Sequence, residues 1–320
     1  RIGIMQEMPS GLGARRSMAE AEADRAGADL ALAELEARLG AAQAWISLHY
    51  VERRAEALQA LAEEAVAAAG AARGRLAAGA GTVDETIAAE IEAARLADRL
   101  AELAAARVRA RGELRRWIGA AADQELAAAA PEFAVDAGQM RERLRRHPAL
   151  GAYRAEIGAA QAGLAMARAE RRPDWSWGLT YGRRDPSFGD MASIEVRVGL
   201  PLFQPWRQGP LVDARRADVA RAEADTHAAE REYSANLETQ LAEYDALSAN
   251  LERARSVRLP FAVQRAEAAA GAFAAGRASA AELIEARRAR LEAELEAIEL
   301  EERRALVGAQ LTLQYGESLP

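Results

Sequence analysis

The chain has 320 residues, is 50% hydrophobic and 28% charged, and carries a formal net charge of -7 at pH 7. That balance excludes both a polytopic helical membrane protein and a disordered chain, and no run of about 18 apolar residues could form a transmembrane helix. Cysteine and lysine are both absent, which removes disulfides, thiolate metal sites, thiol nucleophiles, Schiff bases and a P-loop lysine. An acidic surface disfavours nucleic acid and suits cationic or neutral cargo. No secretory-signal pattern stands at Arg1, so if the protein is exported its targeting segment is not in this sequence. Much of the apolar share is alanine, a strong helix former that buries little surface, which points to thin, elongated helical packing.

A strand signal opens the chain at Ile2–Met8. From about Leu12 to Ala78 there is no proline, and Ala19, Ala23, Ala26, Leu30, Ala33 and Ala37 keep helical spacing. A helix of that length reaches on the order of 100 Å, which suits a coiled coil, a bundle or a tube. It stops at "AAGAGTVDETI", where Gly79 and Gly81 break the helix and Thr82 with Glu85 has capping-box spacing for a new one. A return helix from about Val83 to Trp117 follows, then a less regular stretch to 147. Another helix starts near Pro148, since proline suits a first turn, and continues through Ala169.

The segment "PDWSWGLTYGRRDPSFGDMASIEVRVGLPLFQPW" differs from everything around it. Six of the chain's aromatic residues fall there: Trp175, Trp177, Tyr181, Phe188, Phe203 and Trp206. Two alternating strands are expected, at about Asp174–Arg183 and Ser193–Pro201, joined by a polar loop. After Pro205 a second rod runs past Pro260 to Ala275, with a kink expected at Pro260. It ends in "AAGRASAAELI", where Gly276 is the breaker and Ser279 with Glu282 repeats the capping-box spacing. A return helix from about Ala280 to Tyr315 closes the plan.

The chain therefore reads as one plan written twice, with residues 1–147 and 148–320 as two structural repeats. The second repeat has two strands before its rod and the first has only Ile2–Met8, so a further strand and helix are expected upstream of Arg1. A lone two-stranded ribbon is unstable in water, and strand edges must be paired in lipid. A ribbon with one row of Trp, Leu and Tyr therefore calls for copies of itself: four strands per subunit, in three subunits, close a barrel. The plain alternative is a flap packed on a helical body.

The segments "HPALGAYRAEIGAAQAGLAMARAERRPD", "VRVGLPLF" followed by "RQGPLVDARRADVARAEA", "IGIMQEMP" followed by "GARR", and "FAAGRASAAELIEARRARLEAE" together resemble the TolC family of outer-membrane efflux proteins, within it the heavy-metal branch typified by CzcC and CusC. The resemblance covers essentially the whole chain. It implies a mainly α fold with a small β part: long antiparallel helical hairpins forming a trimeric α-barrel in the periplasm, plus a membrane β-barrel. It implies a homotrimer that docks to a periplasmic adaptor (membrane fusion) protein and an inner-membrane pump of the resistance-nodulation-division type. The function implied is passive export of heavy-metal cations, with organic compounds as alternative cargo. A soluble coiled-coil scaffold is the competing class. The resemblance implies no cofactor, no catalysis and no nucleic-acid partner.

By the resemblance, Gly79, Thr82 and Glu85, with Gly276, Ser279 and Glu282, fall at the periplasmic tips that form the gate and meet the adaptor, and Arg277 is a further adaptor contact. Helix capping alone also accounts for Thr82, Ser279 and both glutamates. Glu195 and Arg197 are assigned to the barrel lumen, and Trp175, Trp177 and Tyr181 to the boundary with outer-membrane lipid. His49, His147 and His227 are scattered and lack metal-site spacing, so surface or helix-packing roles are expected of them.

Overall fold

The computed structural model of the chain describes residues 2–8, 11–127, 129–130, 132–183, 190–202 and 204–316. Phe203 and most of the expected inter-strand loop, including Phe188, lie outside the described residues. Strand β1 (Ile2–Met8), β2 (Asp174–Gly182) and β3 (Met191–Gly199) form one antiparallel sheet in the order β1-β2-β3. The last strand starts two residues earlier than expected, because Met191 and Ala192 pair with Gly182 and Tyr181 and carry the ladder into the expected loop.

Helix α1 runs over Leu12–Ala77 as 66 residues and α2 over Val83–Ile118. A short 3-10 turn and α3 (Ala137–Arg143) follow, and α4 (Pro148–Ala169) leads to β2. Helix α5 covers Gln208–Arg253, α6 Leu259–Ala274 and α7 Ala280–Tyr315. The expected kink at Pro260 takes the form of a π-helical turn over Ala254–Arg258. Proline offers no N–H to the carbonyl four residues back, and the widened turn just before it accommodates that lost bond. No helix among the described residues is long and apolar enough to cross a membrane, which says nothing about strands.

The chain divides into two compact units. The first comprises Arg1–Glu34 and Arg143–Ala235, the second Leu35–Glu142 and Asn236–Pro320. In the first unit Leu164 and Ala167 of α4 pack on Val212 of α5. The buried His147 caps α4: its Nδ1 accepts from the N–H of Ala149 at 3.1 Å, and its ring lies 4.7 Å from that of Tyr233. Burial pushes its pKa below the ordinary histidine value, and a ring that must accept through Nδ1 is neutral there.

The second unit is held by small apolar clusters strung between helices. Leu58 and Ala62 of α1 meet Leu96 of α2 and Leu291 of α7, while Ile46 and Tyr50 meet Ile298, Ala305 and Ala309 of α7. Leu247, Leu251 and Ala254 pack on Ala297 and Leu300. Each leucine so buried contributes about 1.5–3 kcal/mol. Between these clusters lie ion pairs: Glu301, only 9% exposed, accepts from Arg53 of α1 and, at 2.6 Å, from Arg255 in the π-turn, and Glu302 pairs with Arg54. Gly40, in the middle of α1, is explained by the Trp117 indole, which lies where a β-carbon would be: the nearest ring atom is 2.2 Å from that position.

Two outcomes follow for stability. Helix propensity favours alanine over glycine by about 1 kcal/mol, but at Gly40 the indole must move; Gly40→Ala is expected to destabilise by about 1–3 kcal/mol net, read by denaturant unfolding with Trp117 emission as local probe. The contribution of neutral His147 is complete above its unfolded value of about 6.5 and declines as pH falls toward the lower folded value. Thermal unfolding between pH 7.5 and 5 should therefore show a steeper loss for the native chain than for His147→Asn, which caps without titrating.

Candidate functional site

On the sheet, register brings the alternating residues into rows. Leu179 lies between Ile4 and Ile194, and Trp177 between Gln6 and Val196, while Trp175 pairs with Val198 and Tyr181 with Ile2 and Ala192. Trp175, Trp177, Leu179, Tyr181, Ile4 and Ile194 are all exposed, with Trp177 the least at 37% and Ile194 the most at 76%. The face they form is thus apolar and uncovered, apart from Gln6, whose Nε2 donates to the Glu7 carbonyl at 3.1 Å. Gln6 on this row was not anticipated, because alternation was read from the hydrophobic positions around it.

The opposite face carries Ser176 and Thr180 with Glu195 and Arg197, and the last two form an exposed ion pair at 2.6 Å. Among the described residues β1 and β3 are each paired on one side only, so both edges of the sheet present open backbone groups.

The two helix turns of the second unit share one construction. At the first, Gly79 adopts φ 71°, its N–H donates to Leu76 O, and the Ala80 N–H donates to Arg75 O at 2.9 Å. At the second, Gly276 adopts φ 68°, its N–H donates to Phe273 O, and the Arg277 N–H donates to Ala272 O at 2.8 Å. Both are Schellman endings, in which a glycine in the left-handed region lets the chain satisfy the last carbonyls of the helix.

Each ending is followed by a complete capping box. Thr82 Oγ1 accepts from the Glu85 N–H and Glu85 accepts from the Thr82 N–H; Ser279 and Glu282 do the same. The Glu282 carboxyl is held below the ordinary value by hydrogen bonds from the Ser279 N–H and hydroxyl. Arg277 is exposed and makes no ion pair among the described residues.

Two residues that sequence reasoning passed over join these turns. Arg75 pairs with Glu85 at 3.5 Å and stands 5.5 Å from the ring centre of Phe273, so one guanidinium bridges the first turn and the second. The buried Thr86 donates to Thr82 O and Ala72 O, tying the start of α2 to the end of α1. An arginine among many on a helix carries no mark of such a role; only the partner helix reveals it.

Among the described residues no group of three or more His, Asp or Glu could hold a metal ion. The histidines have other places. His49 stacks on Trp45 at 5.2 Å, His147 caps α4, and His227 is exposed beside Glu230.

Long paired helices with capped turns and a small three-stranded sheet are shared with outer-membrane proteins of solved structure. The fold matches VceC of Vibrio cholerae with a TM-score of 0.86 at 18% identity, covering 99% of this chain and 79% of VceC. It matches the open state of the Neisseria gonorrhoeae MtrE outer membrane channel with a TM-score of 0.80 at 19% identity, covering 98% and 79%. The cobalt-zinc-cadmium resistance protein CzcC of Cupriavidus metallidurans is 30% identical over 92% of this chain and 71% of its own length. The description of the outer membrane efflux protein family matches residues 140–317.

The chain belongs to this family, the TolC-type outer-membrane efflux proteins. It is accordingly a channel protein of the outer membrane with a periplasmic portion, and a passive conduit, not an enzyme. The coiled-coil scaffold reading gives way to that assignment.

The turn chemistry makes a local prediction. Ser279→Ala should cost about 1 kcal/mol at the start of α7. Because the Glu282 pKa is depressed, its support of that turn is full above the unfolded carboxylate value and is lost as pH falls through the folded one. Once rates are corrected for the intrinsic pH dependence of amide exchange, protection at Leu283–Glu285 should fall in acid in the native chain, and Glu282→Gln should lack that fall.

Proposed function

We propose that three copies of this chain close into a duct through which a partner pump drives divalent heavy-metal cations from the periplasm to the exterior. The observation that carries this reading is the sheet, with its uncovered apolar row beside two open edges. Neither water nor lipid satisfies that combination, and strands of neighbouring copies satisfy it by pairing. Trp175, Trp177 and Tyr181 then meet lipid, and Glu195 and Arg197 face the lumen of the closed barrel.

The helices continue the wall as an α-barrel. Residues 1–147 and 148–320 are two repeats of one plan, a reading supported by the matching construction of the turns at Gly79–Glu85 and Gly276–Glu282. Those turns are the periplasmic tips: Gly79, Thr82, Glu85, Gly276, Ser279 and Glu282 shape the gate, and the exposed Arg277 contacts the adaptor. The partners are a periplasmic adaptor (membrane fusion) protein, an inner-membrane pump of the resistance-nodulation-division type, and outer-membrane lipid. Metal cargo is supported by the 30% identity to CzcC and by the chain's net charge of -7. Organic compounds are the alternative cargo.

Neighbouring residues on opposite faces of β2 test the duct. Leu179→Arg places a charge on the lipid row, at a cost of about 2–4 kcal/mol near mid-bilayer, whereas Thr180→Arg places it on the lumen row. The native chain and Thr180→Arg are expected to require detergent and to run as trimers in native mass spectrometry, and Leu179→Arg to lose assembly. Equal tolerance of both substitutions, or a native chain that stays monomeric and soluble without detergent, would sink the reading. For the cargo, zinc, cobalt and cadmium tolerance should return when the chain replaces CzcC in a strain lacking it.

A further inference from the structure

At the strand end of the first unit, three chain segments converge. Asp174 opens β2 opposite Gly199 at the close of β3, and Gln204 Nε2 donates to the Arg171 carbonyl at 3.0 Å, holding the exit from β3 against the entry to β2. Gly11 lies against Ala169 at the end of α4, 3.4 Å from its β-carbon when a β-carbon is placed on the glycine, and the Arg15 N–H donates to the Gly11 carbonyl.

The apolar row of the sheet does not stop where the ladder stops. Leu200 and Leu202 continue the spacing of Ile194, Val196 and Val198, at 67% and 65% exposed, and Trp206 follows at 83%. Arg171, whose carbonyl Gln204 holds, Arg207, next in sequence to Trp206, and Arg15, one helical turn on from Gly11, belong to the same end; all three are exposed and none is in an ion pair among the described residues. Elsewhere in the first unit Arg16, Arg197, Arg215, Arg216 and Arg221 are each matched to a carboxylate. Counting Glu7 opposite Ser176, this end carries Arg15, Arg171, Arg172 and Arg207 with Glu7, Glu170 and Asp174, a balance less acidic than that of the whole chain.

We propose that this end of the sheet is a collar that docks the anionic phospholipids of the adjoining bilayer leaflet, with Trp206, Leu200 and Leu202 at the headgroup level and Arg15, Arg171 and Arg207 on the lipid phosphates. The proposal rests on the reading that the apolar row faces lipid. An amphipathic indole is suited to the depth at which acyl chains give way to headgroups. Guanidinium groups are suited to phosphate by shape as well as charge, and their aliphatic stems lie along apolar surface. A soluble protein partner would leave the continuity between this patch and the sheet row without a reason, whereas a leaflet covers both at once.

The test uses the full chain, purified in detergent and reconstituted into vesicles of phosphatidylcholine alone or of phosphatidylcholine mixed with phosphatidylglycerol. Lipid retained on the protein is read by native mass spectrometry. Retention of phosphatidylglycerol over phosphatidylcholine is expected, weakened at high salt, and reduced about tenfold or more in the Arg15→Gln, Arg171→Gln, Arg207→Gln triple variant. Trp206→Phe should remove the emission component that shifts when anionic vesicles are added.

Incorporation into both vesicle types with no anionic preference overturns the proposal while leaving the membrane reading intact. So does a preference that salt and the triple variant leave unchanged. Failure to enter either vesicle overturns both. If the triple variant does not assemble, the salt dependence of the native chain decides alone.

Discussion

The constraint on which the structure turns is that a strand has two needs at once, one for its backbone and one for its side chains. In β1 and β3 the outward N–H and C=O groups are left open, while the row led by Trp177 and Leu179 is apolar and uncovered. In water the row is costly, and in lipid the open edges are. The sheet thus has two deficits: further strands beside it would answer the open edges, and an apolar surround the uncovered row. The trimeric duct proposed for this outer-membrane efflux protein follows from that demand more than from any single residue.

The helices solve a different problem. Alanine-rich faces approach closely but bury little per residue, so the second unit relies on small leucine clusters supplemented by cross-helix ion pairs such as those of Glu301 and Glu302. The two-arginine clamp on Glu301 is well placed for this, because a nearly buried carboxylate without partners would be strongly unfavourable. It also anchors Arg255, so the π-turn forced by Pro260 is fixed to α7 instead of being left to fray. Packing here is thin everywhere and specific at a few points.

The turns at Gly79 and Gly276 show how much can be written in short range. A left-handed glycine ends one helix, and a hydroxyl with an acid three residues later begins the next, so seven residues reverse the chain with helix-end groups on both sides of the turn answered locally. This is why the breaker glycines and capping boxes of both turns were legible in the sequence, as was the start of α4 at Pro148. Period-two alternation likewise placed β2 and the apolar row. It misjudged the start of β3, since Met191 and Ala192 become strand only because Gly182 and Tyr181 are there to pair with them.

What the sequence determined by itself was therefore whatever depends on neighbours along the chain: helix lengths, caps, breakers and the two faces of each strand. Tertiary structure alone decided which of the many arginines matter. It set Arg75 between Glu85 and Phe273, Arg53 and Arg255 on one glutamate, and Gln6 in the row of Trp177. Periodicity gives a helical arginine its direction around its own axis, but its partner depends on which helix lies opposite and at what height. That is fixed by packing among distant segments, and no local pattern carries it.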